Sequence, residues 1–293
     1  MELNTSMASL NLGTVKKAAA SNPPQGALDV GTCSDTGQLR ENNEDSVGVA
    51  LELNLFVLSD GMGGMACGEV ASRLTVDAVL AHCRAAAGDP AANFSCPAIT
   101  AMSDSSRRLA SAIELANQTV HTAALENGER IGMGATVVAA RLKNDRLSIA
   151  HVGDSRAYRL RDGILGRLTQ DHSLAAEMRH GKMSEEEINA SGLQNILMRA
   201  VGVEPQLEVE VREEIMLDGD TILLCSDGLT HELSDRQIEG LLRDAHNAQD
   251  AANQLVALAN QAGGADNIST IVIRQIPTKQ RTLSRPALFR RWF

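Results

Sequence analysis

Carboxylates recur in this chain where apolar, strand-like runs come to an end. Two such runs, LNLFVLSDG and TILLCSDG, finish in the same Ser-Asp-Gly, at Asp60 and Asp227. A third, LSIAHVGDSR, ends at Asp154, and the turn GGADNIS sets Asp266 just before a further apolar run. The segment RENNEDS puts Glu44 and Asp45 at the head of the first strand pair. Taken singly, each is an ordinary turn or cap, since Asp-Gly after a strand is a standard hairpin signal. The combination weakens that reading, because Asp60 is followed by MGGM and a helical pattern rather than a returning strand. Asp227 likewise leads toward a loop and then a helix. If these acids converge, two carboxylates about 4 Å apart repel by about 4 kcal/mol at an effective dielectric of about 20. Several such pairs exceed what a marginally stable domain tolerates, so a cation must sit among them or some must hold protons. The ligands on offer are hard oxygens, the Gly61 carbonyl included, which selects Mg²⁺ or Mn²⁺ over zinc. The seven histidines show no metal-ligand spacing. Acids around two hard cations suit hydrolysis of a phosphate ester by metal-activated water.

The chain that must position these groups has 293 residues, 43 % hydrophobic and 22 % charged, enough for one or two cores without staples. Its net charge of −10 argues against a nucleic-acid binder, which would show a basic face. Five cysteines without a CxxC pair suit neither a disulfide framework nor a zinc site, so a reducing cytoplasm is expected. The first twenty residues lack an apolar signal core, and no run of about 18 apolar residues occurs, which disfavours secretion and membrane spanning. Basic residues gather at the ends. Residues 1–25 read as a flexible arm ending at Pro23-Pro24, 26–276 as an acidic body, and 277–293 as a basic aromatic tail. That tail, RPALFRRWF, reads as disordered chain or as a docking segment for a partner or an anionic membrane surface.

Within the body, Ser46–Leu51 and Leu53–Leu58 read as a strand pair, followed by a helix over Gly68–Ala86. Gly88–Cys96 is a loop by composition. A second helix starts near Ser103 or Asp104, and Leu109, Ile113, Ala116, Val120 and Ala124 keep its period. Strands follow at Ala135–Leu142, Leu147–Val152, Arg156–Leu160 and Ile164–Leu168, with Asn144-Asp145 and Asp162-Gly163 as hairpin turns. Short helices are expected at 173–180 and 184–190, strands at 207–213 and 221–225, helices at 234–244 and 248–262, and a last strand at 268–275. Many strands and paired helices favour an α+β fold of mainly antiparallel sheets over a doubly wound parallel one.

RENNEDS, SDGMGG, GMGATVV, HVGDSRAY, TQDHS, CSDGL and GGADNIS stand in the order found in the bacterial type 2C metal-dependent protein serine/threonine phosphatases, which residues 28–275 resemble. The resemblance implies a four-layer α-β-β-α sandwich with two Mn²⁺ or Mg²⁺ ions at one end, and phosphorylated proteins from a Ser/Thr kinase system as substrates. It implies that Asp45, Asp60, Asp227 and Asp266 bind metal, with Asp60 bridging and the Gly61 carbonyl as a ligand. Glu44 would act through water, Arg40 would grip the substrate phosphate, and Asp154 would belong to a weaker third site. Two departures stand out. His231 replaces an aspartate of that third site, and Met62 stands where eukaryotic members carry a histidine, leaving the leaving-group proton to a metal-bound water, or to His231 if that is more than an ordinary loop histidine. A metabolite phosphatase and a non-catalytic phosphoprotein-binding module are the competing readings. Segment 169–200, with Gly181 and Gly192, resembles the family's mobile flap, or is a plain surface helix pair.

Overall fold

The structure is a computed structural model that describes residues 28–63, 67–87, 102–193 and 196–276. The expected arm at 1–25, the loop at 88–96 and the tail at 277–293 lie outside the described residues.

Two antiparallel sheets stack face to face. The first runs β1-β11-β10-β7-β8, and the second β2-β3-β5-β6-β9 with the two-residue β4 (Gly134–Ala135) against β3. Their strands are β1 (Leu28–Asp35), β2 (Asp45–Ala50), β3 (Leu55–Met62), β5 (Val137–Lys143), β6 (Arg146–Val152), β7 (Arg156–Arg161), β8 (Ile164–Arg167), β9 (Glu210–Ile215), β10 (Thr221–Cys225) and β11 (Ile268–Gln275). Helices α1 (Cys67–Ala87) and α2 (Asp104–Glu126) cover the second sheet. Helices α5 (Asp227–Glu232), α6 (Asp235–Asp244) and α7 (Ala248–Ala262) cover the first, giving the four layers. Helices α3 (Leu174–His180) and α4 (Glu185–Ser191) form the short pair between β8 and β9.

Strand periodicity explains why the sandwich closes. Along β3, Leu55 and Val57 face α1 and α2, while Phe56 and Leu58 enter the core between the sheets. Along β10, Leu223 and Cys225 face α5–α7, while Ile222 and Leu224 meet Phe56 in that central core. Because both faces are covered, these strands are continuous apolar runs rather than alternating ones. Their acids are therefore confined to the ends.

The hairpins close as their sequences require. Asn144 and Asp145 lie at φ 51° and 60°, and Asp162 and Gly163 at 51° and 78°, the left-handed pair that matches strand twist. Three expectations shift. Residues 51–53 form a 3-10 turn rather than strand ends. The strand expected at 207–213 pairs only from Glu210, opposite His151 of β6, although Leu207 and Val209 still pack on the core beneath. Asp227 opens α5 directly instead of a loop: the helix is too short to show a period, and its N-cap Ser226 spends its hydroxyl elsewhere.

Candidate active site

The acids meet at one end of the sandwich, in a cleft of about 340 Å³ whose lining includes Arg40, Glu44, Asp60, Asp154, Asp227 and Asp266, together with Gly61. Asp45 lies beneath, buried and directly opposite Asp60 across the β2–β3 ladder. Like charges directly opposite destabilise a strand pair, so this register works against the fold unless something offsets it. Residues from both sheets contribute: Asp45 and Asp60 from the second, Asp227 after β10 and Asp266 before β11 from the first, Asp154 in the turn from β6 to β7.

Side chains within the same motifs fix these positions. The Asp60 backbone N–H donates to Thr136 Oγ1 at 3.1 Å, and the Thr136 N–H donates to the Asp60 carbonyl at 2.8 Å. The Ser226 hydroxyl donates to Asp45 Oδ2 at 2.8 Å and accepts the Ser269 N–H at 2.9 Å, tying both sheets together under the cleft. Asn267 is the hub of the RENNEDS loop. Its Oδ1 accepts the Glu44 N–H at 2.7 Å, and its Nδ2 donates to the carbonyls of Thr36 and Asn42, both at 2.9 Å. Gly61 permits the closest approach: a Cβ there would lie 2.0 Å from the Gly68 carbonyl oxygen of α1.

Charge is stored here. Burial, then the charges of Asp45, Asp227 and Asp154, push the Asp60 carboxyl well above its ordinary range. Burial, reinforced by Asp227 and Asp266, raises Asp45 to about 7. Burial, with Asp227 and Asp171, raises Asp154 to about 7. Glu44 is raised by burial and by Asp266, against the opposing pull of Arg40. The Arg40 guanidinium meets Asp266 Oδ2 at 2.8 Å from the rim, about half exposed. His231 Nδ1 lies 3.6 Å from Asp227 Oδ2.

The donor set fits a divalent metal. Asp45 Oδ1 and Asp227 Oδ1 are buried oxygens with no hydrogen-bond partner, a costly condition that a cation relieves. No three of the carboxylates lie within 4.8 Å of one another, so they ring a space rather than meet at a point.

Thr136, Ser226 and Asn267 carry no charge or nucleophile that marks them in sequence. Ser226 and Asn267 sit directly beside Asp227 and Asp266, and Thr136 lies inside GMGATVV, so their signal is a polar side chain flanking an apolar strand. His172 of TQDHS is a further residue that the sequence leaves unmarked. His172 Nδ1 accepts the Gly153 N–H at 3.3 Å, and the His172 backbone N–H donates to the Gly153 carbonyl at 2.9 Å. This clamps the turn before Asp154, where Gly153 has φ 100°. With Nδ1 accepting, Nε2 carries the proton and donates to Glu210 Oε2 at 3.2 Å. His151, His172 and Glu210 offer metal-binding atoms close together, but the two rings are stacked, 4.7 Å apart and 19° from parallel. Both Nε2 atoms are already engaged, that of His151 on the Gln170 carbonyl at 2.8 Å and that of His172 on Glu210. This cluster is a strap. Arg156 of GDSR likewise points away from the cleft into a two-armed pair with Asp171.

The chain is similar to proteins already known. The sequence profile of a family described as protein phosphatase 2C matches residues 37–264. The serine/threonine phosphatase stp of Listeria monocytogenes is 33 % identical over 256 residues, covering 86 % of this chain and 98 % of that protein. The serine/threonine protein phosphatase PstP of Mycobacterium tuberculosis is 36 % identical over 241 residues, 82 % of this chain and 43 % of PstP. A crystal structure of a PstP catalytic domain in complex with two manganese ions superposes with a TM-score of 0.71 at 32 % identity, covering 85 % of this chain and 99 % of that one.

Proposed function

We propose, for a chain that belongs to the protein phosphatase 2C family, that the acidic cleft hydrolyses phosphoserine and phosphothreonine in proteins, reversing a Ser/Thr kinase. Asp45, Asp60, Asp227 and Asp266 would hold two Mn²⁺ or Mg²⁺ ions, with Asp60 shared, the Gly61 carbonyl as a further ligand and Glu44 acting through water. Asp154 would serve a weaker third site, which His231 alters. The observation that carries this reading is the ring of carboxylates from both sheets, two of them with orphaned buried oxygens.

When bound, the ions neutralise phosphate charge and lower the pKa of water enough to supply a nucleophile near neutral pH. The protein's own residues then position and select. Arg40 at the rim presents a planar fork that matches two phosphate oxygens. Thr136 and Ser226 hold the backbone of Asp60 and the carboxylate of Asp45 in place before substrate arrives. No side-chain nucleophile is required. Cys225, the nearest cysteine in sequence to Asp227, is fully buried, and burial pushes its thiol up to about 12. Met62 lines the cleft without a titratable group, which leaves the leaving-group proton to water or to His231 beside Asp227.

The test is hydrolysis of phosphoserine and phosphothreonine peptides against a sugar phosphate, with and without EDTA, and with Asp60→Asn. Metal-dependent turnover of the peptides, lost in the variant, is expected. EDTA-insensitive turnover would refute the metal mechanism, and preference for the sugar phosphate would refute the protein substrate.

A further inference from the structure

A second pocket, of about 470 Å³, opens beside the carboxylate cleft. Met62 and Leu197 line both hollows, so the two share a wall. Its remaining apolar lining is Met198, Ala200, Val203 and Leu207, and Met198 and Val203 are 57 % and 43 % exposed. A concave site that leaves apolar side chains open to water is the usual form of a recognition pocket. Behind it Gly134 lets two of the lining side chains pack closely: a Cβ there would lie 2.8 Å from both Met62 Cε and Val203 Cγ2.

The far wall is pinned on both sides. Val201 exchanges two backbone hydrogen bonds with Ala135, at 2.8 and 3.0 Å. From α2, Asn117 Oδ1 accepts the Gly202 N–H at 2.7 Å, its Nδ2 donates to the Glu204 carbonyl at 2.9 Å, and His121 Nδ1 donates to the Gly202 carbonyl at 3.1 Å. A pocket fixed in this way costs little ordering when filled. At its mouth Arg199 and Glu208 pair at 3.2 Å, giving the apolar centre a polar rim.

We propose that this pocket receives an apolar side chain of the phosphoprotein substrate, a few residues from the phosphorylated one. The inference rests on the phosphoprotein reading above and adds the sequence preference. The occupant follows from the shared wall. A chain whose phosphate sits among the carboxylates advances about 3.3 Å per residue, its side chains alternating in direction, so a near neighbour passes over Met62 and Leu197. On that reading Arg40 and the ions held by the acids would meet the phosphate alone and would not tell one phosphoprotein from another; the pocket would.

Phosphothreonine peptides carrying Leu or Asp at each of three positions on either side of the phosphoresidue provide the test, with p-nitrophenyl phosphate run in parallel. At one position Leu should exceed Asp in kcat/KM by about tenfold or more, as expected for part-burial of one aliphatic side chain. In Val203→Asp and Met198→Asp, both at exposed positions, that ratio should fall toward one. Equal turnover of all peptides by the wild type, or a ratio that persists in both variants, overturns the inference. Failure on every peptide while p-nitrophenyl phosphate is hydrolysed overturns the phosphoprotein reading itself, and the inference with it.

Discussion

Asp60 sits opposite Asp45, with Asp227 and Asp154 also raising the cost of its charge. A carboxylate so placed is a liability to the fold and, on the proposed reading, the centre of its chemistry. The two roles separate on mutation. Asp60→Asn should cut turnover of p-nitrophenyl phosphate in Mn²⁺ at least about 10³-fold, the size of several kcal/mol of lost charge stabilisation. The same change should raise the melting temperature of EDTA-treated protein, because Asn brings neither a repelling charge nor the need to bind a proton on folding. Full activity, or a lowered melting temperature in EDTA, would contradict the assignment. At this scale the sequence was legible wherever an acid ended an apolar run. Asn267 was not, because its work is done on the backbone of residues 36, 42 and 44, far away in sequence. Asn267→Ala leaves those part-buried bonds unmade and should cost about 1 kcal/mol or more in denaturant unfolding. An unchanged midpoint would show that the loop does not depend on it.

The strands are what bring the acids together. Continuous apolar runs announce β3, β10 and β11, and their turn residues announce the hairpins, since Asn-Asp and Asp-Gly supply left-handed backbone at low cost. Helix α5 was illegible for the opposite reason: six residues carry no period, and Ser226 gives its hydroxyl to Asp45 rather than to the helix. Contact between elements is also invisible in sequence until the chain is folded. Gly61 reads as a turn glycine, yet its φ is not left-handed and its function is to let β3 touch α1 at Gly68. Gly61→Ala should therefore lower both melting temperature and activity, as the strand end carrying Asp60 is forced off the helix. A variant that kept both would mean that the close approach is dispensable.

The molecule as a whole carries a net charge of −10, and part of that charge is concentrated in one cleft. No helix among the described residues is long and apolar enough to cross a membrane. Asp45 and Asp154 hold their protons up to about pH 7 in the fold, against about pH 4 in an unfolded chain. Between those values the native state binds more protons, so the stability of EDTA-treated protein should fall as pH rises from 5 to 8. Saturating Mn²⁺, which binds the ionised carboxylates, should raise the melting temperature, and by more at pH 8 than at pH 5. A shift that is absent, or larger at pH 5, would argue against a shared acidic site. The most direct measurement is anomalous diffraction at the manganese edge from crystals soaked in Mn²⁺. Two strong peaks are expected between Asp45, Asp60, Asp227 and Asp266, with Asp60 touching both. Density that shows no ion there, or ions bound only elsewhere, would contradict it.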